Sequence, residues 1–322
     1  MTGLPDGFQF RAAVATDATA IANLWCARSL AILGAADTDE EEIHAWMTTP
    51  DAAREFRVVT DGRGVVTGVL FNGYAQTSEH VVVMVEVAME HVGGPLHEAL
   101  LDEAIAAANR SAGGRPICVT GMTADPAMRS LAERRGLVPV RYFPLRHRDF
   151  SEPIDKPVWP DGFEFRPVDV ATELAAAHEC FVEAFRDHYG GSFLSLVEFQ
   201  QQTTLSTYDA DLWLAVWQGG QVVAASCTHP TFPDIEGYGY VAELGVRRDA
   251  RGKGLAIALL LETFRRMRAK GLRGCALHVD AESATGATRL YDRAGMETTE
   301  RYVNYGSASS VELTSERPEN RQ

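Results

Sequence analysis

The segment Pro5–Arg11, PDGFQFR, returns at Pro160–Arg166 as PDGFEFR, with Glu164 in place of Gln9. A chain of 322 residues is about twice the ordinary domain size, so a restart at its midpoint points to two related domains. Both halves then run through the same succession of patterns. The first reads FQFRAA, TAIANLWCARSLAIL, EEEIHAWM, EFRVVTD, VVTGVLFNGYA, HVVVMVEVAM, PLHEALLDEAIAAANR, PICVTG, PAMRSLAERRG and VPVRYFPLRH. The second reads FEFRPV, ATELAAAHECFVEAFRDH, SLVEFQQQ, DLWLAVWQ, QVVAASCTH, YGYVAELGV, GLAIALLLETFRRMRAK, RGCALHVD, ATGATRLYDRAG and ETTERYVNYG. Alternation of period two marks strands and a period near 3.6 marks helices. Each half is therefore strand, two helices, three strands, helix, strand, helix, strand: an α/β class with a mixed sheet. The expected organisation is a first domain over 1–150, a linker rich in proline and charge over 151–162, a second domain over 163–306, and a polar tail over 307–322.

Composition narrows the function. The net charge of −14 argues against a nucleic-acid partner, which needs a basic face to displace counterions. No apolar run reaches the roughly 18 to 20 residues that span a bilayer. The opening MTGLPDG lacks a basic region followed by an apolar one, so the expected location is the cytoplasm, with no membrane partner. The five cysteines are scattered and the nine histidines show no ligand spacing, so no metal is expected.

Against this acidic background one basic loop stands out. Between YVAELGV and the long helix lies RRDARGKGLA, in which Arg247, Arg248, Arg251 and Lys253 place four cations within seven residues. The loop opens a helix, whose free N–H groups and positive dipole end favour an anion. Gly252 and Gly254 let a bulky phosphate approach the backbone. A pyrophosphate fits this description. The run RRMRAK further along the helix reads as a solvated face with cations favourably near the C-terminus.

The loop resembles motif A of the GNAT acetyltransferase superfamily, R/Q-x-x-G-x-G/A, matched by Arg251, Gly254 and Ala256. ATGATRLYDRAGM, over 284–296, resembles motif B of the same superfamily through Ala287, Leu290, Tyr291 and Gly295. The motifs lie in the second half and the element order covers both. The chain thus resembles the tandem GNAT proteins, a group that includes mycothiol synthase and its relatives. The resemblance implies two domains, each a splayed, mostly antiparallel sheet flanked by helices. It implies acetyl-CoA as co-substrate, with pantetheine against the backbone of Leu244, Gly245 and Val246. The pyrophosphate would meet the amides of Arg251, Gly252, Lys253, Gly254, Leu255, Ala256 and Ile257. Tyr291 would protonate the departing thiolate, a role open to a phenol that stays protonated at neutral pH.

The base that takes the amine's proton is sought on the strand before the loop. Many relatives carry a glutamate where this chain has Tyr240, which counts with Tyr291 and Glu243 among the candidate catalytic residues. Glu243, three residues on, is the first candidate; strict alternation puts it on the opposite face from Tyr240 unless a bulge re-aims it. His188 and His229 are further candidates for base or substrate contact, and Tyr302 is a candidate substrate contact. Ser283 stands where the family often has asparagine, and either bonds the cofactor or caps the helix.

The first copy lacks these features. Val92 stands at the place of Arg251, Pro95 at that of Gly254, His97 at that of Ala256 and Ala132 at that of Tyr291. Proline removes an amide that phosphate would need, so the first half is expected to keep the fold without the chemistry. The expected activity is acetyl transfer from acetyl-CoA to a primary amine of a small metabolite or antibiotic-like acceptor, by direct attack in a ternary complex. The alternatives are a longer acyl donor or one on a carrier protein, or a CoA-binding module without turnover.

Overall fold

A computed structural model of the chain describes residues 3–48, 53–74, 80–186, 188–189, 193–283 and 286–308. Residue Ala284 of the second motif and residues 309–322 of the polar tail lie outside the described residues. The chain forms two compact units, Met1–Phe143 with Glu300–Gln322, and Pro144–Thr299.

In the first unit, β1 (Gln9–Ala12), β2 (Ala53–Thr60), β3 (Val66–Tyr74) and β4 (Val81–Val87) run antiparallel in that order. Then β5 (Ile117–Met122) joins β4 in parallel. Two helices, α1 (Ala18–Leu33) and α2 (Glu40–Thr48), bury Trp25, Ile21 and Ile43 against Val58, Val69 and Phe71. On another core, α3 (Pro95–Ser111) packs Leu96, Leu100 and Leu101 against Leu70, Val83 and Val85. The short α4 (Pro126–Glu133) follows β5.

The second unit repeats this order. It contains β7 (Glu164–Pro167), β8 (Leu214–Gln218), β9 (Gln221–His229) and β10 (Tyr238–Val246), antiparallel in turn, with β11 (Gly274–His278) parallel to β10. The helices are α5 (Leu174–Ala184), α6 (Leu196–Gln201), α7 (Leu255–Ala269) and α8 (Ala287–Arg293). Phe181 and Cys180 of α5 meet Ala225 and Cys227 of β9 in one core. A second core joins Leu260, Phe264 and Met267 of α7 to Val241, Cys275 and Leu277, and takes in Tyr291. The Gly219-Gly220 hairpin expected from the sequence connects β8 to β9, with Gln218 opposite Gln221.

The sheets are completed in a way the repeat does not announce. The strand that ends the first repeat, β6 (Val138–Asp149), pairs through Leu145–Asp149 with β11 of the second unit. The strand that ends the second repeat, β12 (Glu297–Gly306), pairs through Tyr302–Tyr305 with β5 of the first. Each sheet thus takes its last strand from the other repeat. The compact units consequently divide the chain within β6 and β12, whereas the repeat in the sequence breaks after residue 150.

Both sheets open at the same place. The parallel pair β4–β5 runs for three residues, Val81 to Val83 opposite Ile117 to Val119, and the pairing stops there. The pair β10–β11 likewise runs from Tyr238 to Tyr240 opposite Gly274 to Ala276. Beyond those residues the backbone of β4 or β10 is left with one ladder partner, which makes a wedge in each unit.

Candidate active site

In the second unit the wedge is a cavity of about 580 Å³, lined by β10 from Val241 to Val246, by the loop and first turn of α7, by Leu277 to Val279, and by α8. Helix α7 has Gly254 at its N-cap in the left-handed region (φ 84°), and no side chain bonds its first amides. Gly252 is also left-handed (φ 77°). An added side-chain carbon at either glycine would meet nothing within 4 Å, so the loop backbone lies open. These uncapped N–H groups at a helix start suit a phosphate group.

The cations of the loop are spent differently. Arg251 turns inward: its Nε donates to Val246 O at 3.1 Å and its Nη2 to Ala184 O at 2.9 Å. It ties the loop to β10 and α5. Lys253 is not among the lining residues, and its Nζ lies 5.5 Å from the centroid of the Phe163 ring. The exposed Arg289 and Arg293 of α8 line the cavity as well, two cations that lie outside the basic loop.

Glu243 depends on an irregularity. The register of β10 against β9 shifts between Val241, opposite Thr228, and Glu243, opposite Cys227. Ala242 is the extra residue of a bulge. With one residue inserted, Glu243 falls on the same sheet face as Tyr240 rather than the opposite one. Glu243 lines the cavity, and burial pushes its carboxyl up to about 8. Gly245, two residues on, has room for no side chain: an added carbon would sit 3.0 Å from both Ala184 Cβ and Phe181 Cδ1 of α5.

Tyr291 enters from α8. It is buried and lines the cavity, and its hydroxyl is held well above the usual phenol range, first by burial and then by the charge of Glu243. Arg146 of β6 and Cys275 also act on it, the arginine in the opposite sense.

The remaining expected residues are distributed. Leu244, Gly245, Val246, Gly252, Leu255, Ala256, Ile257 and Ser283 line the cavity with Glu243 and Tyr291. Ser283 does not cap α8: the helix starts at Ala287 with Gly286 as N-cap, and the N–H of Ser283 closes a turn on Asp280 O. His188 lines the cavity, its Nδ1 3.2 Å from Tyr189 O. Tyr240 stacks on Phe232 at 5.1 Å and meets Nδ1 of His278 at 3.0 Å. His278 lines the cavity and had no motif to mark it. His229 lies opposite Tyr240 on β9, 3.4 Å from Thr207 Oγ1, and burial lowers its pKa. Tyr302 stands in the first unit, where its hydroxyl donates to Asp37 Oδ2 at 2.9 Å.

Known proteins share this architecture. A GCN5-related N-acetyltransferase from Sphaerobacter thermophilus superposes with a TM-score of 0.71 at 29% identity, over 95% of this chain and 96% of that one. A tandem GNAT protein from the clavulanic acid biosynthesis pathway matches in fold at TM-score 0.70 and 15% identity, covering 93% and 98% of the two chains. The chain is a tandem protein of the GNAT fold. Residues 174–296 of this tandem GNAT chain match the model of the acetyltransferase (GNAT) family, a span that contains the whole cavity lining. The chain is also similar to the mycothiol acetyltransferase of Saccharomonospora viridis, 32% identical over 191 residues, which are 57% of this chain and 62% of that protein. A second, from Catenulispora acidiphila, is 26% identical over 218 residues, 67% of each chain. The match spans less than two thirds of the first of these relatives. Among the described residues no group of three or more His, Cys, Asp or Glu side chains could hold a metal, and no helix is long and apolar enough to cross a membrane.

Proposed function

We propose that the chain transfers an acetyl group from acetyl-CoA to the primary amine of a small-molecule acceptor. The observation that carries this reading is the meeting of Glu243 and Tyr291 on one cavity beside a phosphate-sized backbone cradle. A carboxyl titrating near 8 is a base matched to neutral solution, and a phenol held above its usual range stays protonated to act as an acid. The amine's ammonium form gives a proton to Glu243, and the freed nitrogen attacks the thioester carbon. A C–N bond forms, the C–S bond breaks, and the sulfur takes the Tyr291 proton. The second amine proton, lost as the amide forms, restores the phenol. Direct attack needs no covalent enzyme intermediate, in keeping with Cys227 and Cys275, whose thiols burial holds protonated.

The loop from Arg251 to Ile257 is the proposed seat of the pyrophosphate, and the backbone of Leu244 to Val246 that of the pantetheine arm. Ser283, His188 and, on the same sheet face as Glu243, Tyr240 and His229 are proposed contacts around cofactor and acceptor. Similarity to mycothiol acetyltransferases supports a small-metabolite amine as acceptor. The test is free-thiol release from acetyl-CoA across a panel of primary amines, with Tyr291→Phe alongside. The variant is expected to lose about 100-fold in kcat while acetyl-CoA affinity changes by less than about twofold. Turnover equal to the parent's would remove Tyr291 from the mechanism.

A further inference from the structure

The proton donor sits on a weak support. Helix α8 has seven residues, about two turns, and is too short to be stable by itself. Its N-cap is a glycine, with no side-chain bond to the first amides. Its orientation has to come from outside.

Arg146 supplies it. This residue lies on β6, in the part of the strand that pairs with β11, where Arg146 is opposite Leu277. Its side chain is buried. Nη2 donates to the carbonyl of Thr288 at 3.2 Å and to Oδ1 of Asp292, while Nη1 donates to Thr298 Oγ1. Thr288 and Asp292 are one turn apart on α8, on either side of Tyr291 in sequence, so one guanidinium spans the helix at the level of the phenol. The guanidinium carbon is also 6.0 Å from the Tyr291 ring centroid. The two terminal nitrogens divide between α8 and Thr298 of the strand that follows it, a spread fixed by the planar fork and not offered by the single nitrogen of an ammonium group.

We propose that Arg146 is a positioning residue for the proton donor, holding α8 so that Tyr291 faces the cavity and favouring the phenolate that proton donation leaves. The inference rests on the acid role of Tyr291 given above. The charge is in the right place for it. Proton transfer to sulfur leaves a negative oxygen in a buried site that already contains Glu243, and the guanidinium is the cation that acts on the ring from β6. Glu243 from β10 and Cys275 from β11 both act in the opposite direction. The residue belongs to the first repeat by sequence. Through the exchanged strand, the copy that lacks the chemistry contributes a side chain to the copy that has it.

The test is a double-mutant cycle in the full-length chain, using Arg146→Met, Arg146→Lys, Tyr291→Phe and the Arg146→Met/Tyr291→Phe pair. Acetyl-CoA binding by calorimetry serves as the folding control for each. Arg146→Met is expected to lower kcat roughly tenfold, since removal of a cation at this range weakens the acid. Arg146→Lys, which keeps charge but not the fork, should recover part of that loss. In the Tyr291→Phe background Arg146→Met should cost nothing further, because a residue acting through Tyr291 has nothing left to act on. An equal loss in both backgrounds, or no loss in the parent, overturns the inference. If Arg146→Met fails the binding control, the pair Arg146→Lys and Arg146→Lys/Tyr291→Phe decides by the same comparison. Tyr291→Phe with unchanged turnover is a separate outcome and removes the acid role itself.

Discussion

The two wedges of this molecule start from the same backbone and end in opposite conditions. In the second unit, Gly245 is the penultimate residue of its strand; its backbone lines the cavity, and Ala184 and Phe181 of α5 pack where a side chain would start. In the first unit, Glu86 is the penultimate residue of β4, and it is buried. Arg28 of α1 reaches in to meet it at 3.7 Å and forms a second ion pair with Asp125, the N-cap of α4. Strand, helix and cap are joined through one buried guanidinium, where the second unit packs its helix α5 directly on a glycine. The loops differ in the same sense. Gly93 donates its N–H to Nδ1 of the buried His97 at 3.2 Å, and Pro95 at the start of α3 has no N–H to give. The first unit has bonded internally the amide that the second leaves open. Nor does β4 carry the bulge of β10: its register against β3 runs from Gly68 opposite Val87 to Gly73 opposite Val82 without a shift. A shared fold therefore fixes where a site can be, while a few side chains and one inserted residue decide whether there is one.

The sharpest way to break that comparison is at the bulge. Glu243→Gln keeps shape and hydrogen-bonding capacity but removes the base, and kcat should fall by about 100- to 10,000-fold. The parent's kcat should rise with pH through about 8, as the raised Glu243 carboxyl gives up its proton and becomes able to accept one. Steady-state thiol release measured across this range in parent and variant checks both statements. A variant that retains the rise near 8 would assign it to another group and leave Glu243 without a role.

The next effect is one of counting. If the ion cluster and the bonded loop close the first wedge, the chain binds a single equivalent of CoA, and any affinity of the first unit is at least about 100-fold weaker. Titration calorimetry reads the stoichiometry directly, and a second equivalent of similar affinity would end the distinction drawn here. Truncation is no substitute for this experiment, because each sheet borrows its last strand from the other repeat.

Much of this was legible in the residues, for a physical reason. Alternation and helical periodicity are local, so the order of strands and helices can be read in both halves, as can the loop whose glycines precede α7. What depends on partners at long range cannot be read so. VPVRYFPLRH and ETTERYVNYG are strands by pattern, yet alternation carries no mark of which sheet they join. Sequence order accordingly puts Tyr302 with the second half's site, although it pairs in the first unit. Arg146 escaped for the same reason. The face of Glu243 turned on one unpaired residue, Ala242, which has no sequence signature of its own. For Ser283 the pattern leaves cap and cofactor contact open, because sequence does not fix the first residue of a short helix.

The smallest effect tests the closed wedge through its stability. Burial pushes the Glu86 carboxyl up to about 8, with the pull of Val87 N–H and Arg28 in the other direction and the push of Asp125 and Asp37 adding to burial. An unfolded glutamate titrates near 4.5. Between those values the folded chain holds a proton that the unfolded chain has released, so stability falls as pH rises through this window. Nearby His97, lowered to about 4 by its own burial, is neutral in the folded chain while the unfolded imidazole holds a proton up to about 6.5, so it adds a slope of the opposite sign in the lower part of the window, equally in parent and variant. Glu243 adds a slope of the same sign, but equally in any variant that leaves it in place. Glu86→Gln mimics the protonated form at every pH. It should melt close to the parent at pH 4.5 and higher than the parent at pH 8.5, by at least ~2 °C for a chain of this size. The comparison has a built-in alternative. Arg28 stands near both carboxylates, and if it pairs with ionised Glu86 strongly enough to outweigh burial, the variant will be the less stable protein at pH 8.5. The sign of that difference says whether the first wedge is filled by a neutral acid packed beside an ion pair, or by a true three-member charge cluster.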